Sequence, residues 1–422
     1  MNLFQRIVSL LLFALAAVPV IAQEAPPLDF LIERTEVRGA RFGSPAVVEK
    51  ESLLTEGRRY SETDLKDAMR RINRLPFVLD SSFALERGTE RGAYSLVITI
   101  VETKPLFVEA FGTAYASRHR GSQSNSWTHE GLRAGLRGFL GSSTLLHVAA
   151  DNNETYEAGV TQYNLFGRPG YVSLAVSWAD DPSPFVSTTP DGEEYEIRFE
   201  TGELYRLQVG IPVRGNHSIF ARALTSESTT TFTFSTHGRQ ESISKNQLSE
   251  IAWHYDTTDD PILPAAGTIW RTGAVFKEAK ATFTVPHGDA LPERTLFETG
   301  FDQNFYFTSA SHYRPISDFV SVSYGGDISV VTEDLGPIDI EGSERSEIAP
   351  HAGITTSLWS DRLTRRFGDF RFESNLVLHF NGHGTSFDDL AYRYLTFESS
   401  IVQRNVWGML RLTFRYDDSE TF

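Results

Sequence analysis

The sequence predicts a mainly β protein: a 16-stranded antiparallel transmembrane β-barrel preceded by one small α+β domain. Three observations carry this. First, from Leu106 onward the chain is a succession of segments in which apolar and polar residues alternate. In Val172–Trp178, Val172, Leu174, Val176 and Trp178 interleave with Ser173, Ala175 and Ser177. In Met409–Tyr416, Leu410, Leu412, Phe414 and Tyr416 interleave with Arg411, Thr413 and Arg415. A strand shows period two when its faces meet different solvents. Sustained over most of the chain, the pattern fits a wall that is apolar toward lipid and polar toward a wet lumen. Second, the N-terminus reads as an export signal, and no later run reaches the ~18 apolar residues of a membrane helix. Third, the stretch before residue 104 mixes helical and strand spacing and so forms a separate unit.

The elements follow in order. Met1–Gln5 with Arg6 is a weakly basic start, Ile7–Ala17 an apolar stretch, and Val20-Ile21-Ala22 a small-residue cleavage site, so residues 1–22 are a signal peptide. Residues 23–29 form a Pro-containing linker. The α+β domain spans 30–103. It opens with a strand at Leu31–Val37, closed by Gly39. Pro45–Thr55 is helical. Ser61–Leu75 is a second helix, with Ser61 as N-cap, Glu62 and Asp64 in the first turn, and Leu65, Ala68, Ile72 and Leu75 on one face. Pro76 ends it. Phe77–Leu85 and Tyr94–Val101 are strands joined through Gly88 and Gly92.

The barrel occupies 104–422. Its strands are expected near Leu106–Ala116, Gly131–Phe139, Leu145–Asn152, Tyr156–Leu165, Tyr171–Ala179, Glu203–Val213, Ser218–Ser226 and Thr230–Ser235. The others are expected near Leu248–Tyr255, Thr268–Phe276, Leu296–Phe307, Phe319–Val331, Glu347–Leu358, Phe370–Phe380, Tyr392–Val402 and Val406–Tyr416. At ~10 residues per crossing, sixteen strands leave ample chain for turns and outer loops, with fourteen as the alternative count. An even count would return both ends of the barrel to one side, where first and last strands pair antiparallel and close the edge.

Composition excludes some functions. The net charge is −16, which disfavours nucleic acid as a partner, since phosphate binding needs a basic face. There is no Cys, so an exported chain relies on packing and hydrogen bonding. Acidic groups gather at Asp180-Asp181, Asp191–Glu196 and Asp256–Asp260. These read as solvated loops, or alternatively as places where divalent cations bridge to anionic lipid headgroups. No Ser/His/Asp set, catalytic carboxylate pair or metal cluster stands out. The chain is therefore expected to be no enzyme and to need no cofactor or metal. His254 lies near Asp256, Asp259 and Asp260, but it alternates with Trp253 and Tyr255 and reads as an ordinary lumen or interface residue.

The α+β unit resembles a POTRA domain. The matching positions are Gly39, Gly57, Tyr60, Leu65, Arg71, Leu75-Pro76-Phe77-Val78 and the closing Leu96-Val97-Ile98-Thr99-Ile100-Val101-Glu102. Two barrel segments extend the likeness. Asn164-Leu165-Phe166-Gly167, followed by Arg168-Pro169-Gly170, is similar to an early hairpin turn of the BamA/TamA-like outer-membrane assembly and translocation superfamily. Asp256–Gly267, with Asp256, Asp259, Pro261, Pro264 and Gly267, is similar to that family's Asp-x-x-Asp-x-Pro-x-x-Pro-x-x-Gly turn. Both are turns that position strands.

The chain departs from the family in two places. At the position of the family's inward-folded loop stands Gly336–Ile348, with Gly342, Ser343 and Arg345 but no Arg-Gly-aromatic, so a remodelled lumen loop is expected there. Leu136-Arg137-Gly138-Phe139 occurs instead on an early strand and reads as a chance match. The chain ends on an aromatic residue, Phe422, but Glu420 and Asp418 break the alternation behind it.

The resemblance implies an assembly, insertion or translocation factor of accessory type in the bacterial outer membrane, with its POTRA domain in the periplasm. The alternatives are a dedicated two-partner secretion transporter or a passive pore. The implied partners are outer-membrane lipid, unfolded β-barrel or secreted polypeptide clients, and periplasmic or outer-membrane proteins. Client contact by β-augmentation would fall on a POTRA edge strand at Leu96, Val97, Ile98, Thr99 and Ile100.

Overall fold

The computed structural model describes residues 29–419, apart from 42–43, 120–121, 139–142, 153, 165–166, 180–184, 189–193, 235–237, 286–293, 335–343, 358–367 and 384–390. The expected signal peptide, nearly all of the linker, Phe139, Leu165, Phe166, Gly342, Ser343 and Phe422 lie outside the described residues.

The first unit runs β1 (Phe30–Arg38), α1 (Pro45–Glu51), β2 (Arg58–Tyr60), α2 (Glu62–Ile72), β3 (Val78–Arg87) and β4 (Ala93–Glu102). Pro45 sits in the first turn of α1, where its missing N–H costs nothing. At α2 the Ser61 hydroxyl accepts from the Asp64 N–H, and the Asp64 carboxylate accepts from the Ser61 N–H at 2.8 Å, a closed capping box. Val47 and Val48 of α1, and Leu65, Ala68 and Ile72 of α2, pack with Ile32, Leu96, Ile98 and Ile100 of the sheet.

The sheet order is β2-β1-β4-β3, with β4 parallel to β1 and antiparallel to β3. This corrects the expectation for Leu96–Ile100. The segment is not an edge but the middle of the sheet, paired on both sides, with Leu96 and Ile98 fully buried. Its backbone cannot accept another strand. The long edge left unpaired within the sheet belongs to β3.

The second unit is a barrel. It comprises β5 (Leu106–His119), β6 (Ser122–Arg137), β7 (Thr144–Asp151), β8 (Thr155–Tyr163), β9 (Tyr171–Ala179) and β10 (Phe185–Thr188). Then come β11 (Glu194–Arg214), β12 (His217–Phe234), β13 (Gly238–Asp256), β14 (Gly267–Val285) and β15 (Arg294–Ser317). It ends with β16 (Val320–Asp334), β17 (Glu344–Ser357), β18 (Asp369–His383), β19 (Ala391–Asn405) and β20 (Gly408–Ser419). Because β9 pairs directly with β11, the four-residue β10 stands off the ring, and the closed wall has fifteen strands rather than sixteen.

The excess in the sequence reading came from one place. Ser218–Ser226 and Thr230–Ser235 are two parts of the single strand β12, which pairs with β13 without interruption from His217 to Phe234. An odd count also reverses the expected closure. β20 and β5 run parallel, in register from Gly408 opposite Val108 to Ser419 opposite His119. Asp418, where the alternation breaks, still belongs to this strand, as does Asp417.

The faces separate as the alternation requires. Val108, Leu132, Val148, Leu174, Tyr205 and Ile251 are exposed on the outside. Inside, Glu157 is held by Arg206 at 2.7 Å and Arg133 at 3.2 Å, and Glu373 by Arg411 at 2.6 Å. Glu250, 4% exposed, is held by Arg222 and Arg271. An exterior this apolar around a charge-paired interior is stable where lipid covers the outside. The wall is uneven in height: β7, β8 and β9 have 8, 9 and 9 residues, whereas β15 has 24.

Candidate functional site

The α+β domain docks on the mouth of the barrel where β5 begins. Its anchor is Arg71, on the last turn of α2 and 5% exposed. The guanidinium donates to the carbonyls of Glu51 and Ser52 within the domain and to that of Gly215 in the β11–β12 turn. Burial pushes this guanidinium down to about 10, opposed by the nearby Asp67 and Glu51 carboxylates. Arg74 reaches Asp256 at the end of β13, at 3.1 Å. Glu51 accepts from the Gly170 N–H at 3.2 Å. Burial raises the Glu51 carboxyl above the usual range, against the pull of the Gly170 hydrogen bond and of Arg71 and Arg74.

Both turn motifs frame this mouth. Asn164 adopts φ +56°, its N–H donates to the Gly170 carbonyl at 2.9 Å, and Gly167 and Gly170 also take positive φ, so the β8–β9 connection reverses tightly. This presents the Gly170 N–H to the domain.

The Asp256–Gly267 segment does more than turn. Asp259 Oδ1 accepts from the N–H groups of Asp260, Ala265 and Ala266, and Asp260 Oδ1 from those of Ile262 and Leu263. The folded loop then meets the wall formed by β18 and β19. Asp260 pairs with Arg404 at 2.7 and 3.0 Å, Arg371 donates to the Leu263 carbonyl, and Leu263 is fully buried. Pro261 lines a mouth cavity, Pro264 lies within the folded loop, and Gly267 opens β14 at φ +109°. The β13–β14 loop is therefore a latch between distant parts of the ring.

His254 stacks on Phe220 inside the barrel at 5.7 Å. The nearby Asp259 and Asp260 carboxylates are occupied by backbone N–H groups and Arg404. Arg345 is exposed on β17, paired through its backbone with Val331 and His383, so it stands in the wall and not in an inward loop. The β4–β5 connection and the start of β5 close the base of the seam: the Lys104 N–H donates to the Val406 carbonyl and the Val108 N–H to that of Trp407. Glu51, Arg74, Arg371 and Arg404 were not singled out by the sequence reading, because their partners come from remote strands.

The fold and mouth define a membrane-embedded β-barrel with an α+β domain docked over one opening. No protein-family model matches the chain, and no curated protein sequence matches it. Solved barrels are similar in architecture. BamA from Haemophilus ducreyi lacking POTRA domains 1–3 is 11% identical with a TM-score of 0.42, over 92% of this chain and 81% of that one. CdiB from Escherichia coli is 16% identical with a TM-score of 0.48, over 88% and 70%. CdiB from Acinetobacter baumannii is 9% identical with a TM-score of 0.34, over 89% and 70%.

Proposed function

We propose that this chain is an outer-membrane insertion or translocation barrel of accessory type, whose docked domain acts as a POTRA domain for incoming polypeptide in the periplasm. The observation that carries the reading is the placement of the domain. β3 has an edge unpaired within its sheet and begins at Val78, which itself lines a cavity at the barrel mouth. A client strand added along β3 would be delivered to that opening. β3 thus takes the client-contact role that sequence assigned to Leu96–Ile100. The latch across the mouth speaks against a passive pore. The reading involves no catalysis, and the apolar exterior takes outer-membrane lipid as its solvent.

Purified protein in liposomes tests this. An unfolded client barrel should fold faster in its presence, and a photoreactive group at Ser82 on β3 should capture the client more than one at Thr99 on β4. Ion conductance without any effect on a client would sink the reading. Loss of a single secreted protein on depletion, with other barrels unaffected, would favour the two-partner transporter.

A further inference from the structure

The cavity at the mouth that Val78 and Pro261 line measures about 260 Å³ and lies between the end of α2, the base of β5 and β6, and the latch loop. Four guanidinium groups line it, those of Arg74, Arg133, Arg137 and Arg404, against one carboxylate, Glu109. Three of the four have a carboxylate within 3.2 Å: Arg74 has Asp256, Arg133 has Glu157, which it shares with Arg206, and Arg404 has Asp260.

Arg137 does not. It ends β6 just before Gly138, which turns the chain at φ +67°. Its guanidinium lies over the Phe107 ring, 4.3 Å from the centroid. Its nearest carboxylate is Glu109 at 3.7 Å, beyond a direct hydrogen bond and shared with Arg133. The residue is 9% exposed, and neither Nε nor Nη1 has a hydrogen-bond partner. A buried cation with idle donors is costly unless something supplies acceptors.

We infer that this cavity is an oxyanion site that takes an organic carboxylate, with Arg137 as the principal donor. Two features set the ligand class. A guanidinium matches a planar carboxylate through charge-assisted hydrogen bonds. The remaining wall includes Phe107, Leu145, Ile262 and Met409, which favour an anion carried on an apolar group over a hydrated inorganic ion. The inference goes beyond the transport reading and does not depend on it, because binding is measured on the isolated protein.

The test is calorimetric titration of the full chain in detergent micelles with N-acetyl-leucine, its neutral amide and inorganic phosphate. The acid should bind saturably and the amide at least tenfold more weakly. Arg137→Gln should weaken the acid tenfold or more, and Glu109→Gln, which removes the competing carboxylate, should tighten it several-fold. The second variant moves affinity in the opposite direction, so a folding defect in the first cannot imitate the result. Equal binding of acid and amide, or an affinity unchanged in both variants, would overturn the site. Phosphate binding as tightly as the acid would overturn the carboxylate assignment.

Discussion

Arg71 joins two units through three carbonyl oxygens, two in its own domain and one in a barrel turn. Arg71→Met would leave those buried acceptors unsatisfied and should cost about 2–4 kcal/mol of domain and docking stability. Faster protease cleavage within the α+β domain is the readout, and Arg71→Lys should not rescue it, since an ammonium cannot reach the same fork of acceptors. Glu51 makes the docking depend on pH. Burial raises its carboxyl in the docked state, so that state binds the proton more tightly than the undocked one. Docking should be strongest below the ordinary carboxylate range and weaken as pH rises through the raised value. Glu51→Gln keeps an acceptor for Gly170 and should flatten that dependence, as read by spin-label distances between α1 and the barrel. Arg71 was visible in the sequence as one of the positions that resemble a POTRA domain. Its role was not, because Gly215 comes to it only once the ring has closed.

The β13–β14 loop shows how an element can be legible in form and hidden in purpose. Its Asp, Pro and Gly residues marked a turn, and Asp259 and Asp260 do organise one. That Asp260 would meet Arg404 depends on the curvature of the barrel, which no local pattern encodes. Asp260→Asn keeps the oxygen that caps Ile262 and Leu263 but loses the ion pair. It should weaken the latch by about 1–3 kcal/mol and raise single-channel conductance in planar bilayers. β4 carried a readable signal: an apolar run through Leu96, Val97 and Ile98 without alternation is what a strand covered on both faces shows. β12 misled for the opposite reason. From Ser226 to Thr230 it has no apolar residue on either face, so the period vanishes while the strand continues. Where the period does hold, it reports lipid contact. Leu174→Arg should cost about 2–4 kcal/mol if that position lies near mid-bilayer, and reversible unfolding in urea would measure it.

At the scale of the whole molecule, the order of units and the barrel class were legible because alternation and helical spacing are local. The strand count was not, since a single misplaced break changes its parity. The parallel seam can be checked directly in a chain that has no Cys. Ala110 lies opposite Leu410, and Ala114 opposite Phe414, all on the outer face. Cysteine pairs at 110/410 and at 114/414 should both cross-link, whereas an antiparallel seam would admit at most one of them. The parity has a consequence for biogenesis. Fourteen of the ring strands can enter the membrane as seven hairpins, each leaving its polar ends on the side it came from. β20 has no hairpin partner left and runs from the domain side to the far rim, so with the domain in the periplasm a segment joined after that strand would start on the outer side. A short epitope placed after that strand should be stained on intact cells, while one placed before β1 should be seen only after the outer membrane is permeabilised.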